Sequence, residues 1–279
     1  MNGDNAVHHS LEIKKRKLIQ SRVITLDSYD YKEVKIKNTL RNNNEYKTLR
    51  FSIIEWLFII NSKLEDSPLT LFHCLSLFDM MSSKNPIFLQ KNNMDLYAAV
   101  CYFISKKLNE IIIIDISFVS KIILKNKYSH KEIANAEIDI CKLLHFDLAS
   151  NTIQDYTDYL ITKLPIDVQS IFSQVNLFFN IFSQNFDEFI FDTFPSLMSL
   201  ITIKVSLEIL YMNEVISEED YHSIELFLSS IDRVNNNSLR NKEREYSVLM
   251  LNAFLKNIKV LEKKEYSKLC KLIYKKGII

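Results

Sequence analysis

The chain contains two glycines, Gly3 and Gly277, and none from Asp4 to Lys276. Hairpin turns and left-handed backbone positions draw on glycine, and phosphate-cradling loops need it for close approach to a ligand. A P-loop, a dinucleotide fingerprint and a nucleophile elbow are therefore absent. Four prolines, Pro68, Pro86, Pro165 and Pro195, leave long uninterrupted stretches between them. A chain built this way is expected to be all-α.

At 279 residues the length suggests two domains or one large one, since one domain usually takes about 100–200 residues. The stretch MDLYAAVCYFISKK at 94–107 is apolar on every side from Tyr97 to Ile104. Such a helix is normally enclosed by other helices. Polarity returns at Ser105, Lys106, Lys107, Asn109 and Glu110, so this central helix is expected to end at the surface, with cations at its C-terminal dipole. The net charge of +1 argues against a protein that coats nucleic acid or anionic membrane. The four cysteines, Cys74, Cys101, Cys141 and Cys270, form no CxxC pair and read as reduced core residues of an intracellular protein. No secretory apolar core follows Met1, and Asp115, Lys121 and Lys204 interrupt the longest apolar runs, so no membrane span is expected.

The expected organisation is a polar segment at 1–28, an N-terminal helix at 29–46, a first domain at 47–150, a linking helix at 151–164 and a second domain at 165–279. The basic run at 14–17 reads as a solvated tail or a nuclear import signal. Leu49–Ile60 is a helix with two apolar stripes: Ile54, Leu57 and Phe58 toward the core, and Leu49, Ile53, Trp56 and Ile60 as either a packed face or a docking surface. Ser67 and Pro68 start a helix with Leu71, Cys74, Leu75 and Phe78 buried. IIIIDISF at 111–118 has strand propensity but no partner strand, and is expected to be a buried connection into a helix near Ile116–Leu124. Ser129 and Glu132 have capping-box spacing for a helix carrying Ile133, Ala136, Ile140, Leu143 and Leu144 on one face, with Glu137 in its middle. In the second half, Val168, Ile171, Val175, Phe178, Phe179 and Phe182 recur at helical spacing. Residues 195–210 form another nearly all-apolar helix that opens on proline.

No catalytic or metal pattern emerges. His8, His9, His73, His130, His145 and His222 show no paired-ligand spacing, and His73 beside Cys74 reads as a core residue. The acid pairs Glu65–Asp66 and Asp187–Glu188, with the Glu218–Asp220 run, read as solvated surface charge. The expectation is a non-enzyme with no cofactor and no metal.

The residues that remain resemble a known family. RFSIIEWL at 50–57 is similar to the first motif of the cyclin box. Thr70–Leu71 through Asp79 fits its second helix, SKKLNE at 105–110 the lysine-bearing end of its third, and Tyr128–Ser129, Glu137 and FDL at 146–148 its fifth. The closest likeness is to A/B-type cell-cycle cyclins, in a divergent member. Met80, Asn109 and the missing proline after Glu110 depart from the pattern.

The resemblance implies a fold of two tandem five-helix cyclin-like domains, each around a buried central helix and preceded by a short N-terminal helix. It implies a regulatory subunit whose partner is a cyclin-dependent protein kinase, active in nucleus and cytoplasm, with no direct nucleic-acid or membrane contact. Lys107 and Glu137 correspond to the pair that meets the kinase, with Leu108, Phe146 and Leu148 as apolar contacts around it. Leu49, Ile53, Trp56 and Asp95 correspond to the patch at which some cyclins dock kinase substrates or inhibitors bearing Arg-x-Leu. At that patch Ser52 replaces an aliphatic residue, Ile59 an acid and Asp95 a glutamine. A transcription-type cyclin or a cyclin-fold adapter is the alternative; a DNA-contacting factor fits the balanced charge poorly.

Overall fold

A computed structural model describes residues 40, 44–85, 93–164, 169–184, 193–231 and 244–250. The basic run at 14–17 and most of the expected N-terminal helix lie outside these residues. Among the described residues every regular element is helical. The chain divides into two compact units, Met1–Asp155 and Tyr156–Ile279.

The first unit holds α1 (Asn44–Lys63), α2 (Pro68–Lys84), α3 (Met94–Asn109), the short α4 (Ile116–Phe118) continued by a π-helical turn (Val119–Ile123), and α5 (His130–Leu143). Asn44–Tyr46, assigned to the preceding helix in the sequence, are the first turn of α1. Ser67 caps α2 through the Leu69 amide, with Pro68 in the first turn where its missing N–H costs nothing. Ser129 and Glu132 form the expected capping box of α5, and Ile133, Ala136, Ile140 and Leu144 are buried beneath it.

Helix α3 is the centre of this unit, packed against α1, α2, α5 and the π-helical turn. Every residue from Ala98 to Lys106 is buried. The expectation that α3 surfaces at Ser105 is corrected: Ser105, Lys106 and Asn109 are buried, and only Lys107 and Leu108 emerge. Lys106 can be buried because Asp66 pairs with it, each side chain being 5% exposed. Tyr102, one turn earlier, donates to the same carboxylate at 2.5 Å. Asp66 is thus a core anchor and not the solvated charge expected of it.

A second buried charge pair ties α1 to α2. The Arg50 guanidinium grips Asp79 with Nε–Oδ1 2.9 Å and Nη2–Oδ2 2.8 Å, and Tyr46 donates to the same carboxylate. Burial alone would lower the Arg50 pKa, but Asp79 more than reverses this, so the guanidinium stays charged. For Tyr46, burial and then the Asp79 charge push the phenol well above its usual value.

A chain without internal glycine must place other residues in the left-handed region. Glu65, Lys125, Asn126, His145, Phe146 and Glu214 all have φ between 52° and 60°. Each such non-glycine residue costs on the order of 1 kcal/mol, so the surrounding structure has to hold it there.

The second unit contains most of α6 (Ile153–Thr162), with α7 (Gln169–Ser183), α8 (Pro195–Met212), α9 (Glu218–Ile231) and a helical segment at 244–250. Helices α7 and α8 pack against each other. Phe172, Val175, Phe178, Phe179 and Phe182 are buried on α7. A polar seam runs between them: Thr202 donates to Asn180 at 2.7 Å, and Asn176 to Ser206 at 3.1 Å. By length and composition α8 could cross a membrane, but 61% of it is buried inside the fold, as in a core helix.

Candidate functional site

The surface end of α3 meets the middle of α5 in the first unit. Lys107 Nζ lies 2.5 Å from Glu137 Oε1, with side chains 39% and 22% exposed. The same ammonium sits 3.8 Å from the centroid of the Phe103 ring, so carboxylate and ring together fix a side chain that would otherwise be free to rotate. Lys107 also complements the C-terminal dipole of α3. The ammonium, with three N–H groups, keeps donor capacity for an outside acceptor, and Glu137 keeps a carboxylate oxygen. Cys141, one turn further along α5, has its thiol pushed up by burial and then by Glu137, against an opposing pull from Lys107.

Apolar residues flank this pair. Leu108 is 44% exposed and Phe146 is 70% exposed. The FDL segment leaves α5 through left-handed His145 and Phe146, with the Phe146 amide donating to Cys141 O at 2.7 Å. Leu148 is half-buried, and its carbonyl oxygen lies 2.7 Å from His73 Nε2. Lys107 and Glu137 are thus in contact, Leu108 and Phe146 are presented to solvent, and Leu148 is half-buried with its backbone carbonyl held at His73.

Sequence reasoning missed part of this surface. Ile111, Ile112 and Ile113, expected to be a buried connection, are exposed. The cause is Glu110, whose Oε1 accepts from the Ser67 amide at 2.6 Å and from Thr70 Oγ1 at 2.7 Å. With α3's end fixed to the start of α2, the residues that follow run over the surface. Ile138 beside Glu137 is also exposed; its place off the Ile133–Ala136–Ile140 face was the available signal.

The expected substrate-docking patch is altered. Ile53 is buried with Ile54 and Leu57, while Leu49, Trp56 and Phe58 are half-buried. Tyr46, Arg50, Ile53, Leu57 and Asn61 form one continuous buried stripe, which pulls Ile53 inward. Asp95 is bound by Lys127 at 2.8 Å and by the Tyr128 hydroxyl at 2.8 Å, and the hydrogen bonds of Lys127 to Asp95 and then to Tyr128 raise the Lys127 pKa. No group of three or more His, Cys, Asp or Glu among the described residues is arranged to hold a metal.

Residues 22–149 match the family described as cyclin, N-terminal domain. The first unit of the chain therefore carries a cyclin N-terminal domain, which supports a cyclin-fold protein. A chain of the CAK complex from Chaetomium thermophilum, solved bound to ATP-gamma-S, is similar at 16% identity with a TM-score of 0.44, over 92% of this chain and 88% of that one. No curated protein matches.

Proposed function

We propose that this protein binds and activates a cyclin-dependent Ser/Thr kinase by holding the kinase C-helix in its active position. The observation that carries the reading is the Lys107–Glu137 pair, in contact and solvent-facing within a cyclin N-terminal domain. A surface ion pair adds about 0–1 kcal/mol to stability, so its stability contribution is a weak reason for holding Lys107 by a carboxylate and a ring together. As a preorganised donor and acceptor set it can satisfy the end of a kinase helix and an adjoining loop, while Leu108 and Phe146 supply apolar burial. The kinase then gains a correctly placed Lys–Glu pair in its own site. No transferring group comes from this chain, which acts in the cell cycle and is present in nucleus and cytoplasm. A transcription-type cyclin would use the same contact without periodic activity through the cell cycle.

The test is binding and activation of purified cyclin-dependent kinases by wild type and by Lys107→Ala/Glu137→Ala. Truncating a charge pair that becomes buried at an interface costs about 2–5 kcal/mol, so affinity should fall at least tenfold and kinase activation with it. Equal binding by both proteins would sink the site assignment. If wild type binds no kinase, the function itself is wrong.

A further inference from the structure

His73 is 3% exposed, on α2 among Leu71, Phe72, Cys74 and Leu75. A buried imidazole is tolerated when both ring nitrogens find partners. Here Nε2 is 2.7 Å from the carbonyl oxygen of Leu148, and Nδ1 is 3.2 Å from the Asn109 side-chain nitrogen. A carbonyl only accepts, so the proton is assigned to Nε2, and Nδ1 accepts from the Asn109 amide. The flipped amide would set its oxygen against an unprotonated Nδ1, so the orientation follows from the Leu148 contact. It is kept although Asn109 Oδ1 is left buried without a partner.

The two groups that His73 joins lie 36 and 75 residues from it. Asn109 ends α3 and directly follows Lys107 and Leu108. Leu148 lies two residues past Phe146, in the segment leaving α5. His145 and Phe146 both occupy the left-handed region, where a turn persists only if its surroundings hold it. Ser76, one turn along α2, adds a tether on one side only, through Ser150 at 2.8 Å. His73 reaches both sides.

We infer that His73 is a positioning residue that fixes the α3 end carrying Leu108 relative to the turn carrying Phe146, and so sets the shape of the kinase-contacting surface. This rests on the kinase reading given above. A neutral imidazole suits the task because it offers one donor and one acceptor at fixed separation on a rigid ring. An aliphatic residue of similar volume fills the space without setting the distance.

The experiment measures the affinity of the full chain for the tightest-binding member of a panel of purified cyclin-dependent kinases, at a temperature where circular dichroism shows each variant folded. His73→Leu should bind at least tenfold more weakly. His73→Gln, which retains a donor and an acceptor, should recover most of the loss. Phe146→Ala should cost less affinity on the His73→Leu background than on wild type, because the ring it removes is already misplaced. A merely structural histidine would lower the unfolding midpoint and leave the affinity of folded molecules unchanged; that result overturns the inference. If His73→Leu does not fold, Asn109→Ala decides: it cuts the α3 arm alone, and unchanged affinity rejects the idea. If Lys107→Ala weakens binding while the His73 and Asn109 variants bind like wild type, this inference falls alone. If Lys107→Ala binds normally, the kinase-contact reading falls and this inference with it.

Discussion

Adjacent lysines at the end of α3 should respond to mutation in opposite ways. Lys106 and its partner Asp66 each have side chains only 5% exposed. Lys106→Met keeps most of the side-chain volume and removes the ammonium, leaving Asp66 a buried carboxylate supported by Tyr102. Breaking a buried pair from one side costs about 3–5 kcal/mol, a large part of a typical total of about 5–15 kcal/mol. With a urea slope of about 2 kcal/mol/M, the midpoint should fall by about 1.5–2.5 M. Lys107→Met breaks a pair that is 39% and 22% exposed. The ion pair is worth about 0–1 kcal/mol and the ring contact about 0.5–1 kcal/mol, so the midpoint should move by less than about 1 M. Kinase affinity should follow the reverse order. Trp56, the only tryptophan, lies in α1, so its fluorescence in urea reports on the first unit. A Lys106→Met protein that is fully folded and as stable as wild type yet unable to bind kinase would refute the reasoning. It would mean that the kinase-facing lysine is Lys106.

Two further outcomes follow from the same geometry. Burial, and then the neighbouring Asp79 and Asp66, raise the pKa values of Tyr46 and Tyr102, and burial raises those of Cys74 and Cys101. A folded pKa above the unfolded one gives stability that is complete below the unfolded value, about 8.5 for cysteine and 10 for tyrosine, and is lost above it. Urea melts at pH 7, 9, 10 and 11 should therefore show falling stability from about pH 9, less steep in Tyr46→Phe; a flat profile would contradict these assignments. Ser129→Ala removes the acceptor for the Glu132 amide and should cost about 1 kcal/mol. Hydrogen exchange should quicken in the first turn of α5, with little change in kinase affinity because Glu137 lies beyond that turn.

Much of this was legible from residue types and spacing. The absence of internal glycine excluded strand-rich folds and phosphate loops, and the apolar run from Tyr97 to Ile104 marked the helix that the others enclose. Ser129 and Glu132 announced the start of α5 because a capping box is local. What escaped depended on distant partners. Lys106 read as surface because lysine is rarely buried unless paired, and its partner Asp66 lies in a turn 40 residues earlier. The isoleucines at 111–113 read as core because nothing local shows that Glu110 is fixed to the start of α2. Ile53 fell on a periodic stripe that served the outer face as well as the inner one, and tertiary packing chose the inner. Lys107 and Glu137 were placed by resemblance; spacing alone gave a helix end and a helix middle with no reason for them to meet.

The same contrast explains how a small polar pair can be held accurately on a chain with no glycine from Asp4 to Lys276. Without glycine at its turns, the segment leaving α5 must put His145 and Phe146 in a conformation that neither prefers. Such a turn cannot by itself present Phe146 in one place. The core supplies the missing definition through groups whose bonding is directional: Glu110 on Ser67 and Thr70, Lys106 and Tyr102 on Asp66, and His73 between Asn109 and Leu148. Apolar packing alone tolerates exchange among residues of similar volume. These polar contacts lose their partners if the helices shift. Buried polar groups around the end of α3 therefore act as geometric constraints, and the exposed pair at Lys107 and Glu137 takes its orientation from them.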